Sequence, residues 1–224
     1  MKLLGLTGNI ACGKSTLADL LKQRGAEVLD ADKLVHELYC NADFSRQVAA
    51  LFKSQDVLNA AGMIDRAQLG SLVFGDANAL RRLEEFVHPE VADLRDEKLR
   101  ALRNQNQPPE VVVIEAVKLI ESSQAADCEE VWCVLCSPQI QLRRLMETRG
   151  LSESDARARL DAQPTLGQKQ SLMAACGVPL ICVSNDGSLQ DLQARVETHW
   201  NEFWKRKTTS SKLEKMPVET SFAL

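Results

Sequence analysis

Leu3-Leu4-Gly5-Leu6-Thr7-Gly8-Asn9-Ile10-Ala11-Cys12-Gly13-Lys14-Ser15-Thr16 reads as an apolar run, a glycine-punctuated turn and the opening of a helical pattern. Gly8, Gly13, Lys14 and Ser15 stand at the spacing G-x-x-x-x-G-K-[ST], which between a strand and a helix marks a phosphate-binding loop. The glycines let successive backbone N–H groups from Gly8 through Thr16 turn inward around a phosphate, and the helix that follows adds its positive end. Lys14 is positioned to reach the β- and γ-phosphates of a nucleotide, and the Ser15 hydroxyl to complete a Mg²⁺ shell. The bland alternative is a strand-to-helix turn that binds nothing.

Downstream, Leu17, Leu20 and Leu21 recur at helical spacing, with Gly25 as the expected C-cap. A short strand, Glu27-Val28-Leu29, ends in Asp30-Ala31-Asp32. Strand–helix–strand order makes this strand parallel to the first, so both carboxylates emerge at the carboxyl edge, where a phosphoryl acceptor would sit. A carboxylate there can take the proton of an attacking hydroxyl; the competing readings are a helix N-cap at Asp32 and indirect Mg²⁺ coordination at Asp30. Three further apolar runs, Val111–Glu115, Val131–Cys136 and Pro179–Val183, bring the strand count to five. Glu115 closes the first of them where a Walker-B acid would hold Mg²⁺ through water, or simply as a solvated strand end. Five strands with intervening helices predict an α/β doubly wound, three-layer P-loop NTPase fold with a five-stranded parallel sheet.

Between those strands the pattern is helical. Val48, Leu51 and Phe52, then Leu69, Leu72 and Val73, then Leu80, Leu83 and Phe86 are spaced as amphipathic stripes. Turns are expected at Ala61-Gly62 and Gly75-Asp76, and a break at His88-Pro89 with Pro89 starting a new helix. The expected organisation is a nucleotide-binding core at 1–35, 108–140 and 164–204, a helical insertion at 36–107, a lid at 141–163 and a tail at 205–224 without periodicity. The lid stretch holds five arginines between Arg143 and Arg159. One or two of them are expected to touch phosphate, the rest to sit on a wet helix in pairs such as Glu153 with Arg157 and Asp155 with Arg159.

Composition narrows the partners. A net charge of −4 over 224 residues argues against non-specific nucleic-acid binding, whose main term is phosphate neutralisation by clustered cations. Seven cysteines form no disulfide-like framework, and neither a signal peptide nor a membrane-length apolar run is visible, so a reducing cytoplasm is the expected home. Cys133-x-x-Cys136 lies in an apolar run without a second ligand pair and reads as buried strand.

Taken together, the loop, Asp30-Ala31-Asp32 with His36, His88-Pro89, Ser137-Pro138 with Gln141 and Arg144-Leu145, Gly150-Leu151-Ser152 with Ala156, Arg159 and Gln163, and Asn185 with Gly187-Ser188 closely resemble the dephospho-CoA kinases. The resemblance covers roughly residues 1–200. It implies transfer of the γ-phosphoryl of ATP, with Mg²⁺, to the ribose 3′-hydroxyl of dephospho-CoA, the last step of coenzyme A synthesis. The helical insertion would bind CoA. Asp32 would be the base, with Lys14 and Arg144 the other catalytic groups; Arg144 and Arg159 would serve ATP from the lid, and the Asn185 turn would lie near adenine. Thr7, Asp30, Asp32, His36 and His88 would face the acceptor. A small-molecule acceptor, no nucleic acid, no membrane and a monomer or weak homo-oligomer are the partners implied.

Against the family pattern, Asn9, Ala11 and Cys12 replace residues of Gly-Gly-Ile-Gly-Ser-Gly-Lys without removing a required glycine, and Cys12 sets an oxidisable thiol beside the phosphates. Val117-Lys118-Leu119-Ile120-Glu121 lacks the usual proline, and Thr148-Arg149 shifts the first lid arginine by one position. The competing functions are another small P-loop kinase acting on a nucleotide, shikimate or a sugar acid, a nucleotide-binding module, and a catalytically dead relative. A guanine-nucleotide switch lacks its parts, since neither Asp-x-x-G nor Asn-Lys-x-Asp follows the loop.

Overall fold

A computed structural model describes residues 1–73, 75–122 and 124–206. Its elements in chain order are β1 (Lys2–Gly8), α1 (Lys14–Lys22), β2 (Glu27–Asp30), α2 (Ala31–Tyr39), α3 (Ala42–Phe52), α4 (Arg66–Val73), α5 (Ala77–Arg103), β3 (Val111–Glu115), β4 (Glu130–Leu135), α6 (Pro138–Arg149), α7 (Glu153–Asp161), α8 (Leu166–Cys176), β5 (Leu180–Ser184) and α9 (Leu189–Lys205). The five strands form a parallel sheet in the order β2-β3-β1-β4-β5, so the α/β expectation holds. No helix among the described residues is long and apolar enough to cross a membrane. Two compact units divide the chain: Gly25–Ala116, and Lys2–Arg24 with the described residues from Val117 onward.

In the first unit β2 and β3 pair in the register Glu27 with Val112 through Asp30 with Glu115, so both strands finish on an acid at the same level. β3 is apolar because its residues Val111 to Ile114 are buried, leaving only Glu115 part-exposed. The helices pack through the stripes that the spacing predicts. Leu34, Tyr39, Phe44, Val48, Val57, Ile64, Leu69, Leu83, Val87 and Val91 share one apolar core, in which Phe44 stacks between Tyr39 and Phe86 with centroids 6.1 and 5.5 Å apart. Ser45 is fully buried there. Its hydroxyl donates to the Tyr39 carbonyl at 2.9 Å and accepts from Ile64 N at 3.2 Å, which satisfies the polar atoms that would otherwise cost stability in an apolar core.

Pro89 corrects one expectation. Instead of breaking at His88-Pro89, α5 runs unbroken for 27 residues with Pro89 inside it. An interior proline forfeits one helical hydrogen bond and costs about 3 kcal/mol. Leu83, Val87, Val91 and Leu99 offset it, since all four are buried along one stripe that a break would misalign.

The second unit holds β1, β4 and β5 in register from Leu4 with Glu130 to Leu135 with Ser184. Leu4, Leu6, Leu17, Leu21, Trp132, Leu192, Val196 and Phe203 are its buried core. The charged residue Glu130 is only 2 % exposed and is satisfied by Trp132 Nε1 at 2.6 Å and by Arg206. Gly25 is not the C-cap of α1. Gln23 takes that position, and Gly25 adopts the left-handed conformation two residues later. Of the expected tail, Lys205 closes α9 and Arg206 pairs with Glu130; residues 207–224 lie outside the described residues.

Candidate active site

The loop forms between β1 and α1 because its backbone needs conformations that few residues adopt. Gly13, at φ 93°, is the N-cap of α1, and a Cβ there would stand 2.2 Å from Asn185 Nδ2. A Cβ on Gly8 would stand 2.6 Å from the Val134 carbonyl. Ala11 also takes a left-handed φ of 60°. For a residue with a Cβ this costs about 1–2 kcal/mol, so the alanine is a true departure from a glycine that would fit there without strain.

Several side chains hold that conformation. Arg144 Nη1 donates to the Ala11 carbonyl at 3.1 Å and Nη2 to the Asn185 carbonyl at 3.2 Å. Asn185 Nδ2 donates to the Cys12 carbonyl at 2.7 Å. Gln141 Nε2 donates to the Ile10 carbonyl at 2.9 Å, while Ile10 N donates to Gln163 Oε1 at 2.8 Å, so both polar groups of one peptide residue are clamped. Asn9 Nδ2 reaches the Pro164 carbonyl at 3.2 Å. Lys14 Nζ donates to the Gly8 carbonyl at 3.2 Å. Asp186 ties in the neighbouring turn: it accepts from Ser137 N at 2.6 Å and from Ser184 Oγ at 3.0 Å. The Ser137 amide, then Ser184 and Arg144, hold its carboxyl below the usual aspartate range.

This scaffold borders a cavity of about 470 Å³ lined by Ala11, Gly13, Lys14, Ser15, Thr16, Arg144, Thr148, Arg149, Asn185, Gly187, Leu189 and Leu192. The amino end of α1 opens on it with no side-chain cap and no acid in its first turn. The positive end of α1 beside Lys14, Arg144 and Arg149 makes a place for a polyanion. Leu189 and Leu192 supply an apolar patch suited to a flat ring. Asn185 joins the cavity wall, yet its side chain is spent on the loop. Replacing Asn185 with alanine is therefore expected to orphan the buried Cys12 carbonyl and lower unfolding free energy by about 1–3 kcal/mol. A urea titration reads this directly, and an unmoved midpoint would refute the buttress.

The remaining sequence-derived candidates are distributed as follows. Arg159 is exposed on α7 and does not line the cavity, whereas Arg149 does. Of the expected surface pairs, Glu153 takes Arg157 at 2.6 Å, and Asp155 takes the Ser152 hydroxyl. Thr7 is fully buried and donates its hydroxyl to the Val117 carbonyl at 3.0 Å. With the ion pair of buried Lys169 and exposed Glu121 at 3.4 Å, that bond anchors the segment Val117–Glu121 without the proline. In the first unit Asp30, not Asp32, caps α2: its carboxylate accepts from Asp32 N at 3.0 Å and from Lys33 N at 3.4 Å. Asp32 is exposed in the first turn, with His36 one turn on and also exposed, its Nε2 3.8 Å from Cys40 Sγ. His88 is half-buried mid-way along α5, and Glu115 ends β3.

Gln141, Gln163 and Asp186 are site residues whose roles the sequence did not disclose, although Gln141 and Gln163 stood among the motifs of the resemblance and Gln141 lies three residues before Arg144, on the same helical face. Arg149, to which the lid arginine shifts, lines the cavity.

The family model described as dephospho-CoA kinase matches residues 2–191. A dephospho-CoA kinase of Geobacter sulfurreducens is 39% identical over 201 residues, covering 89% of this chain and 98% of its own length. Among solved structures, a Thermus thermophilus protein shares 32% identity at a TM-score of 0.72, over 90% of this chain and 97% of that one. Dephospho-CoA kinase from Campylobacter jejuni shares 28% at 0.65, over 92% and 98%. On this agreement across nearly the whole of each chain, the protein belongs to the dephospho-CoA kinase family.

Proposed function

We infer that this protein uses ATP to phosphorylate dephospho-CoA, yielding CoA and ADP. The observation that carries the reading is the cavity at the uncapped amino end of α1, flanked by Lys14, Arg144 and Arg149, in a chain of this family. Its volume of about 470 Å³ is within the range of small-molecule sites. The triphosphate would lie against the amides of Gly8 to Thr16, with Leu189 and Leu192 against the base.

The acceptor is proposed to be the ribose 3′-hydroxyl, whose phosphate distinguishes CoA from dephospho-CoA. Ligands of parallel α/β sheets gather at the carboxyl ends of the strands. The loop follows that end of β1, and Asp30-Ala31-Asp32 that of β2. Asp32 is proposed as the group that receives the hydroxyl proton, because Asp30 is already committed to capping α2. Asp30, His36 and His88 are proposed on the acceptor side, with Thr7 supporting it through Val117. Lys14 and Arg144 would hold the transferring phosphoryl group in line as charge develops on its oxygens, Arg144 being pre-aimed by its two carbonyl partners. Arg159 is proposed as a lid contact to ATP.

Among the described residues no group of three or more His, Cys, Asp or Glu could hold a metal. Mg²⁺ keeps several waters and takes few protein oxygens beside the phosphates. Ser15, exposed at the cavity, would be one ligand, and Glu115 would act through water. Bound there, the ion would neutralise phosphate charge. The same reading carries a cytoplasmic location and a monomer or weak homo-oligomer.

ADP release should rise at least about 100-fold when dephospho-CoA is supplied, and not with nucleoside monophosphates, shikimate or no acceptor. Slow hydrolysis indifferent to every acceptor would defeat the proposal.

A further inference from the structure

Beneath the loop, Cys12 and Cys136 face one another. Cys12 comes from the turn after β1 and is 2 % exposed; Cys136 follows β4 and is half-buried. Their sulfurs are 3.6 Å apart, with the Cys136 thiol donating to Cys12. Cys136 Sγ also approaches the Ala11 carbonyl at 3.9 Å and receives Arg144 Nη1 at 3.8 Å. The charged groups around the pair are Lys14, Arg144 and Asp186. The hydrogen bond from Cys136, helped by Lys14 and Arg144 and opposed by burial, brings Cys12 down to about 7, while the same bond and burial drive Cys136 up. The pair is thereby polarised, one sulfur drawn toward the nucleophilic thiolate and the other held as a thiol against it. Two other cysteines differ: burial pushes Cys133 up to about 11 and Cys182 above its usual value.

We propose that Cys12 and Cys136 are an oxidative modification site, closed by hydrogen peroxide into a disulfide under the phosphate-binding loop. Cys12 thiolate attacks one peroxide oxygen, the O–O bond breaks, and the departing hydroxide takes a proton to leave as water. Cys136 sulfur then attacks the Cys12 sulfenic acid. An S–S bond forms, the S–O bond breaks, and the second hydroxide leaves as water with the Cys136 proton. The two thiols lose two electrons and the peroxide gains them. Closure moves the sulfurs together by about 1.5 Å. That displacement is imposed on the residue whose carbonyl Asn185 holds and whose neighbours are clamped by Arg144 and Gln141. Small misplacements in such a site cost about 100-fold in rate. The linked form should thus lose ATP turnover, and reduction should restore it.

The test exposes the full chain to stoichiometric hydrogen peroxide and maps the products by mass spectrometry, with and without dithiothreitol. The expected product is a Cys12–Cys136 peptide pair formed with a loss of about 2 Da, accompanied by at least a tenfold fall in turnover that dithiothreitol reverses. In Cys136→Ser, measured against its own reduced activity, Cys12 should instead gain about 16 or 32 Da with no linked pair. Linkage through other cysteines, or no linkage, would each overturn the proposal. Because linkage is read by mass, its outcome is independent of whether dephospho-CoA proves to be the acceptor.

Discussion

Lys14→Ala is expected to lower turnover by about 100- to 1,000-fold, the cost of removing one preorganised charge from a transferring phosphoryl group. Lys14 begins α1, lines the cavity and folds back onto the Gly8 carbonyl at 3.2 Å. It therefore spans the loop from its last turn to its first residue. In the proposed reaction a charge so placed would follow the β- and γ-phosphates, and no neutral side chain supplies its long-range attraction. Unfolding should change little, by under about 1 kcal/mol, because the lysine is half-exposed and the loop keeps its bonds from Arg144, Asn185, Gln141 and Gln163. Steady-state kinetics beside a urea titration separate the two effects. A turnover loss below tenfold would remove Lys14 from the transfer step, and a matching loss of stability would make it a structural clamp.

The contrast between Lys14 and its supports shows what a sequence discloses. Gly8, Gly13, Lys14 and Ser15 are legible because the loop is a local object: strand, turn and helix are consecutive, and the backbone requirement falls on adjacent residues. Gln141, Gln163 and Asn185 support the same loop from 131 to 173 positions away, through bonds to its backbone atoms that local spacing does not reveal. Cys136 was legible only as half of a C-x-x-C, whereas its actual partner is Cys12, 124 positions earlier. Pro89 misleads for the opposite reason. Its local preference is real, but the apolar stripe on α5 outweighs a single lost hydrogen bond. Lys205 and Arg206 look like tail in composition, yet Lys205 closes α9 and Arg206 pairs with Glu130, buried in another element, and with Glu202.

Asp32→Asn should lower turnover by about 100- to 10,000-fold, the usual contribution of a positioned general base, while ATP affinity stays within about threefold. The two acids of Asp30-Ala31-Asp32 are separable because the fold gives them different duties. Asp30 accepts the amides of Asp32 and Lys33 and also lies 3.9 Å from Lys33 Nζ, so its carboxylate is committed to starting α2. Asp30→Ala should accordingly cost about 0.5–2 kcal/mol of stability through the lost cap. Asp32 has its own amide fixed by that cap and its side chain exposed, so an amide in its place should leave stability within about 0.5 kcal/mol. Asparagine keeps the shape and loses the capacity to receive a proton, which isolates the chemistry from the packing. Turnover and ATP binding measured on Asp32→Asn, with unfolding measured on both variants, decide the assignment. If Asp32→Asn lost ATP binding and turnover in equal measure, or lost stability as Asp30→Ala does, the carboxylate would be a scaffold and the proton would have to leave by another group.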